Sequence, residues 1–275
     1  MDKQTEIEHS LTTRFHVPLF SKFAKAIVEY EMLQEGDRVA VCISGGKDSM
    51  LMAKLFQLLK RHDKFPFELV FLCMDPGYNA ANRKQIEENA KLLGIPLTIF
   101  ESPIFDAVDH IEKNPCYLCA RMRRGYMYKK AQDLGCNKIA LGHHFDDAIE
   151  TVLMGMLYSG QFQAMMPKLK STNFPGMELI RPMYLIHEED ILRFRDAHAL
   201  TFLRCACHFT EQVAEEDENE ESSSKRLEVK RLIAELKKTN PQVDNNLLRS
   251  TENVVLNKVL RYKLHGEPHS FLEDY

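Results

Sequence analysis

Val39-Ala40-Val41-Cys42-Ile43-Ser44-Gly45-Gly46-Lys47-Asp48-Ser49 is the stretch of this 275-residue chain that decides its fold. Residues 38–43 form a nearly continuous apolar run, as expected of a strand covered on both faces. Residues 48–61 carry Met50, Leu51, Ala53, Leu55 and Leu58 with no helix breaker, so they read as a helix. Between strand and helix stand two glycines, which let backbone approach an anion closely. The first amides of the helix and its macrodipole then favour a phosphate. Lys47 adds a point charge, and Ser44 and Ser49 add hydroxyl donors. Asp48, in the first turn, suits a divalent cation or a helix cap. The spacing is not that of a Walker A loop. A Gly-Gly turn capped by serine for geometry alone is the plainer reading. The complete hexapeptide in this context favours a nucleotide, with Lys47 and Asp48 as the catalytic candidates.

The same alternation continues outward. Strands are expected at 67–74, 96–100 and 138–142, and a short extended piece at 179–181. Helices are expected at 14–35, 82–93, 116–134, 146–157, 188–198, 226–239 and 246–258. Alternating strands and helices imply an α/β fold with a doubly wound parallel sheet, an N-terminal helix and a helical C-terminal tail. Ligands of such sheets bind at the carboxyl ends of the strands. That brings Met74, Gly142, His143 and Asp147 to the hexapeptide as nucleotide-binding candidates. His143, His144, Asp146 and Asp147 also invite a metal reading; capping the helix and lining the pocket is the simpler one. The chain divides into a helical segment 1–35, a nucleotide domain 36–210, an acidic linker 211–224 and a helical tail 225–275.

Composition narrows the class. Hydrophobic residues make up 44%, enough for a full core. No apolar run is long enough to span a bilayer. The first ten residues lack a basic region followed by an apolar one, so no secretory leader and a cytoplasmic location are expected. Formal net charge is −4, but Glu211, Glu215, Glu216, Asp217, Glu218, Glu220 and Glu221 form one acidic run. Without those seven the remainder carries +3. A slightly basic body permits a phosphate-rich partner. Arg121, Arg123, Arg124, Lys129 and Lys130 offer a basic helix face for RNA phosphates, or a solvated one.

Seven cysteines in a chain expected to be cytoplasmic do not suggest a disulfide framework. Cys42, Cys73 and Cys136 read as buried small hydrophobes. Cys116 and Cys119 lie three apart at a helix start, where thiol pKa values fall. Such a pair is compatible with half a zinc site, a redox dithiol or part of an iron–sulfur site. Cys205-Ala206-Cys207-His208 adds donors that complete either a zinc site or a three-thiolate cluster.

Taken together, these motifs resemble a known family. The hexapeptide is the signature of PP-loop ATP-pyrophosphatases. It is followed by Cys116-Tyr117-Leu118-Cys119 with Ala120-Arg121-Met122-Arg123-Arg124-Gly125, by Gly142-His143-His144 with Asp146-Asp147, and by the cysteines at 205 and 207. Residues 138–144, 160–169 and 190–194 and Arg181-Pro182 fit as well. From about Glu29 to His208 the chain resembles the tRNA 2-thiocytidine synthetase family (TtcA), within the TtcA/TtuA group of tRNA thiolases. The resemblance implies ATP, Mg²⁺ and a [4Fe–4S] cluster as cofactors, and tRNA as substrate. It implies that the C2 oxygen of cytidine 32 is adenylylated and replaced by sulfur. Carried over, Cys116, Cys119 and Cys205 hold the cluster and Asp48 the magnesium. Sulfur comes from a cysteine desulfurase or another sulfide source, no membrane is involved, and a homodimer is expected. The third motif departs from the family pattern: His208 stands where a second cysteine is usual, and Cys207 is an added thiol. Two alternatives remain on the residues alone, a small-molecule PP-loop ligase and a nucleotide-binding protein with structural zinc.

Overall fold

The computed structural model describes residues 2–62, 65–104, 115–203 and 225–275, with backbone alone at 115–120 and 274. By internal contacts the chain forms two compact units, Met1–Asp147 with Met166–Ser222, and Ala148–Met165 with Ser223–Tyr275.

In the first unit β1 (Arg38–Ile43), β2 (Glu68–Asp75), β3 (Leu97–Glu101), β4 (Lys138–Ala140) and a later strand, β6 (Glu178–Ile180), are parallel. A short β5 (Lys168–Lys170) pairs antiparallel with β6, giving the order β3-β2-β1-β4-β6-β5. The doubly wound parallel sheet read from the sequence is therefore present, with one antiparallel edge strand not anticipated. Such an edge is common on otherwise parallel sheets.

Alternate β1 side chains explain why the run is continuously apolar. Val39, Val41 and Ile43 join one core cluster, and Ala40 and Cys42 join another. The pleat sends these sets to opposite faces, so both must be covered. On the first face lie α1 (Lys3–Thr12), α2 (Lys22–Glu29), α3 (Lys47–Arg61), α4 (Ala80–Leu92) and, much later in the chain, α7 (Glu188–Ala197). Tyr128 and Ala131 of α5 (Pro115–Asp133) cover the second.

The N-terminus departs from expectation. The helix expected over 14–35 is replaced by a π-helical turn at His16–Ser21 and α2, and α1, which was not expected, precedes them. Pro18 lies in the π turn and has no N–H for a regular ladder. The chain turns out of helix after Tyr30, where Glu31 takes φ 49°. Helix α1 starts with Asp2 capping the Thr5 amide and buries Ile7 and Leu11, four residues apart; Phe15, just beyond its end, is buried as well.

The second unit contains most of α6 (Phe145–Ser159), then α8 (Lys225–Thr239) and α9 (Val243–Glu252). Lys237 pairs with Asp244 at 2.6 Å, joining α8 to α9. The helix expected over 246–258 ends at Glu252. Beyond it the chain forms a hairpin of β7 (Arg261–Leu264) and β8 (Glu267–Ser270). His265 and Gly266 both take positive φ, as a two-residue hairpin turn matched to strand twist requires. Among the described residues no helix is long and apolar enough to cross a membrane.

Candidate active site

Helix α3 begins directly after the turn that leaves β1. Gly45 holds φ +85°, and a Cβ there would stand 2.7 Å from Ile86 Cγ1 and 3.0 Å from Leu203 Cδ1. Only glycine meets both demands. The turn is pinned internally by Ser49, whose hydroxyl donates to the Gly46 carbonyl at 3.0 Å and accepts from the Ser44 amide at 3.1 Å. Just past β4, Gly142 approaches the start of α3 closely: a Cβ would meet the Ser49 amide nitrogen at 3.1 Å.

These constraints bring three strand ends together. Ser44, Asp48, Ser49, Met74, Gly142, His143 and Asp147, all expected from the sequence, line one cavity of about 420 Å³. The volume is in the range of nucleotide and drug-sized pockets. Cys42, Ile43, Met127, Ile139 and Leu141 make its apolar wall. Gly45, Gly46 and Lys47 do not line it. Gly45 is held between Ile86 and Leu203, Gly46 caps α3, and Lys47 bridges Asp48 and Glu188 at 3.1 Å each. Burial opposes the Lys47 charge, but Asp48 and Glu188 more than offset it and lift its pKa above the ordinary lysine value.

Asp48 is the one loop residue with unmet capacity. Its Oδ1 is buried and, among the described residues, has no hydrogen-bond partner; His144 Nε2 is 3.9 Å away. A buried carboxylate oxygen left open on the cavity wall fits a divalent cation. Asp147 accepts from the His144 amide at 3.1 Å, and Asp146 accepts from the Glu188 amide at 2.7 Å. These two acids therefore fasten the start of α6 and of α7. No group of three or more His, Cys, Asp or Glu side chains capable of holding a metal occurs among the described residues.

Two cationic residues that line the cavity were expected from the sequence on a helix face turned either to RNA phosphates or to solvent. Arg123 and Arg124 of α5 form part of its wall. Arg123 also donates to the Tyr78 hydroxyl at 3.4 Å. Lys130 lies over the Phe100 ring, and Lys129 pairs with Asp133. The proposed basic face is thus divided among different partners. Glu188 was missed too, because its partner Lys47 lies far away in sequence; only the fold joins them.

Cys116 and Cys119 fall in the first turns of α5, and Cys205, Cys207, His208 and the acidic 211–224 run lie outside the described residues. The other three cysteines are buried and free. Burial pushes the Cys42 and Cys73 thiols up to about 12 and raises Cys136 as well. They are poor thiolate donors.

A glycine-bearing loop that leads from a parallel strand into a helix, with an open carboxylate in that helix's first turn, defines an α/β protein of the nucleotide-binding kind. The family described as a PP-loop domain matches residues 17–209. Relatives named tRNA-cytidine(32) 2-sulfurtransferase match over most of their length. The protein of Anaeromyxobacter dehalogenans is 34% identical over 258 residues, 92% of this chain and 85% of its own length. That of Citrifermentans bemidjiense is 34% identical over 239 residues, 85% of this chain and 89% of its own. This chain belongs to the PP-loop domain family and, within it, to the tRNA-cytidine(32) 2-sulfurtransferase family. The solved U34-tRNA thiolase NcsA of Methanococcus maripaludis, with its [4Fe–4S] cluster, has the same fold. It is 22% identical, with a TM-score of 0.64 over 87% of this chain and 82% of that one.

Proposed function

We propose that this chain is an ATP-dependent tRNA sulfurtransferase that replaces the C2 oxygen of a cytidine with sulfur. The observation that carries the ATP half is the convergence of three strand-end loops on one cavity beside Asp48. Membership of a family whose relatives are named for tRNA cytidine 32 supports the substrate.

ATP places its phosphates on Ser44, Gly45, Gly46, Lys47 and Ser49 at the start of α3, with its adenine toward Met74 and the apolar wall. Gly142, His143 and Asp147 close the opposite side, and Asp48 holds Mg²⁺. The cytidine C2 oxygen attacks the α-phosphorus, and the bond to the bridging oxygen breaks. Pyrophosphate leaves, its charge met by Lys47, Mg²⁺ and the loop amides, with Arg123 and Arg124 as further cations on the wall. Sulfide then attacks C2, its proton passes to solvent, and AMP departs with the electrons of the C–O bond. The donor set fits a [4Fe–4S] cluster: Cys116, Cys119 and Cys205 would hold it, leaving one iron without a protein ligand. When bound, that cluster supplies a carrier for the incoming sulfide. Sulfide comes from a cysteine desulfurase or another source, and the enzyme works in the cytoplasm as a homodimer, away from membranes.

Metal analysis of anaerobically purified protein tests the cofactor assignment. Iron and acid-labile sulfide near a 4:4 ratio are expected, lost in Cys205→Ala and kept in Cys207→Ala. One zinc and no iron would contradict it, and the reverse behaviour of the two variants would move the third ligand to Cys207.

A further inference from the structure

The C-terminal hairpin carries cations that no acid answers. Lys258 closes the short turn Leu256–Lys258 that precedes β7, and Arg261 and Lys263 belong to β7 itself. All three are exposed, and among the described residues none has an ion-pair partner. Exposed lysines elsewhere behave differently. Lys25, Lys84, Lys129 and Lys238 each reach a carboxylate three or four residues away.

The register of the hairpin explains why these cations stay open. Arg261 stands opposite Ser270 and Lys263 opposite Pro268, while Tyr262 pairs with His269 and Leu264 with Glu267. Side chains alternate across a strand, so Arg261 and Lys263 share one face and meet only uncharged partners there. The other face takes Tyr262, stacked on His269 at 4.9 Å, and the only acid of the two strands, Glu267. Glu273, just beyond β8, is held by His269 at 3.1 Å. Charge is therefore sorted by face, with the cations alone on one side. Arg261 and Lys263 lie one strand repeat apart, about 6.8 Å. That is close to the step between neighbouring phosphates of a nucleic-acid strand.

We propose that the cationic face of the β7–β8 hairpin is an RNA-binding surface, where Arg261 and Lys263 contact successive phosphates of the tRNA backbone and Lys258 extends the contact. The proposal rests on the tRNA half of the function above and not on the cluster. Such contacts fix the position of the RNA and read no sequence. Each neutralised phosphate releases counterions, so the affinity they supply falls steeply with salt.

The test measures tRNA binding by the full-length protein over a series of salt concentrations. In the double variant Arg261→Gln, Lys263→Gln, the slope of log affinity against log salt is expected to fall by about two. Affinity near ~0.1 M salt is expected to drop about tenfold or more. Each single variant should lower the slope by about one. Arg261→Lys with Lys263→Arg keeps both charges and should keep the slope. Lys25→Gln with Lys84→Gln removes the same charge from lysines already paired and should leave the slope near the wild-type value. Cations that only guard the hairpin edges against another strand would leave tRNA binding unchanged in the double variant, and that result overturns the proposal. So does an equal loss in the Lys25 and Lys84 control, which would show an effect of net charge alone. A wild-type protein that binds ATP but no tRNA at any salt concentration would instead sink the underlying function.

Discussion

At the scale of single residues, the phosphate loop is defined by what cannot be there. Gly45 combines positive φ with Ile86 and Leu203 side-chain atoms crowding the place a Cβ would take, and a Cβ on Gly142 would meet the backbone of Ser49. Gly45→Ala meets a left-handed conformation and two contacts near 3 Å, so it is expected to cost about 2 kcal/mol or more. Gly142→Ala has no such strain and must instead push the strand end away from the start of α3. Both variants are expected to lose ATP binding by calorimetry; retained affinity in Gly142→Ala would mean that the strand–helix approach is unnecessary for the site. The identities of these residues were legible in the sequence, because glycine in a strand-to-helix turn has few other uses. The roles of Arg124 and Glu188 were not. Whether an arginine on a helix faces a cavity or solvent depends on which helix face the sheet covers, and no local pattern around Arg124 records that.

Among the elements, legibility followed hydrophobic period. Strands β1 and β2 and helices α3, α4 and α6 were read close to their observed limits, because long apolar runs and caps such as Gly94 marked them. Helix α1 was missed because only Ile7 and Leu11 are apolar among its ten residues. Besides those two buried residues, an ion-pair clamp attaches it. Glu8 accepts from both guanidinium nitrogens of Arg61, at 2.7 and 3.0 Å, and from Lys54 at 2.6 Å. Arg61 outweighs the cost of burial, with Lys54 added, and holds the Glu8 carboxyl at about 2. A carboxyl depressed this far stabilises the fold above its ordinary pKa near 4.5, and that contribution is lost as pH falls toward 2. Lys54, only 1% exposed, would be left without this partner in Glu8→Gln. That variant is expected to lose on the order of 2 kcal/mol at pH 7, discounted for the exposure of Arg61. Its melting temperature should approach the wild-type value as pH drops from 5 to 3. An equal gap at both ends of that range would show that the clamp contributes nothing electrostatic. The C-terminal hairpin was missed because its strands are only four residues each: β7 alternates just Tyr262 and Leu264 with polar residues, β8 has no apolar alternation, and only His265-Gly266 marks the turn.

For the whole molecule, the sheet decides which loops meet, and the loops decide the chemistry. The strand order places β1 between β2 and β4, so their carboxyl ends share one cavity. The formal charge of −4 conceals a body of +3 outside the acidic run, which is compatible with a polyanionic substrate. Splitting ATP and delivering sulfur are joined in one claim, that a tRNA cytidine is the acceptor of both AMP and sulfur. It is tested most directly by incubating the iron-loaded protein with tRNA, ATP, Mg²⁺ and sulfide, then digesting the tRNA and measuring its nucleosides by mass spectrometry. A thiolated cytidine is predicted, absent when ATP is omitted and absent in Cys116→Ala. Unmodified cytidine in the complete reaction, with ATP still bound and the cluster intact, would contradict the account.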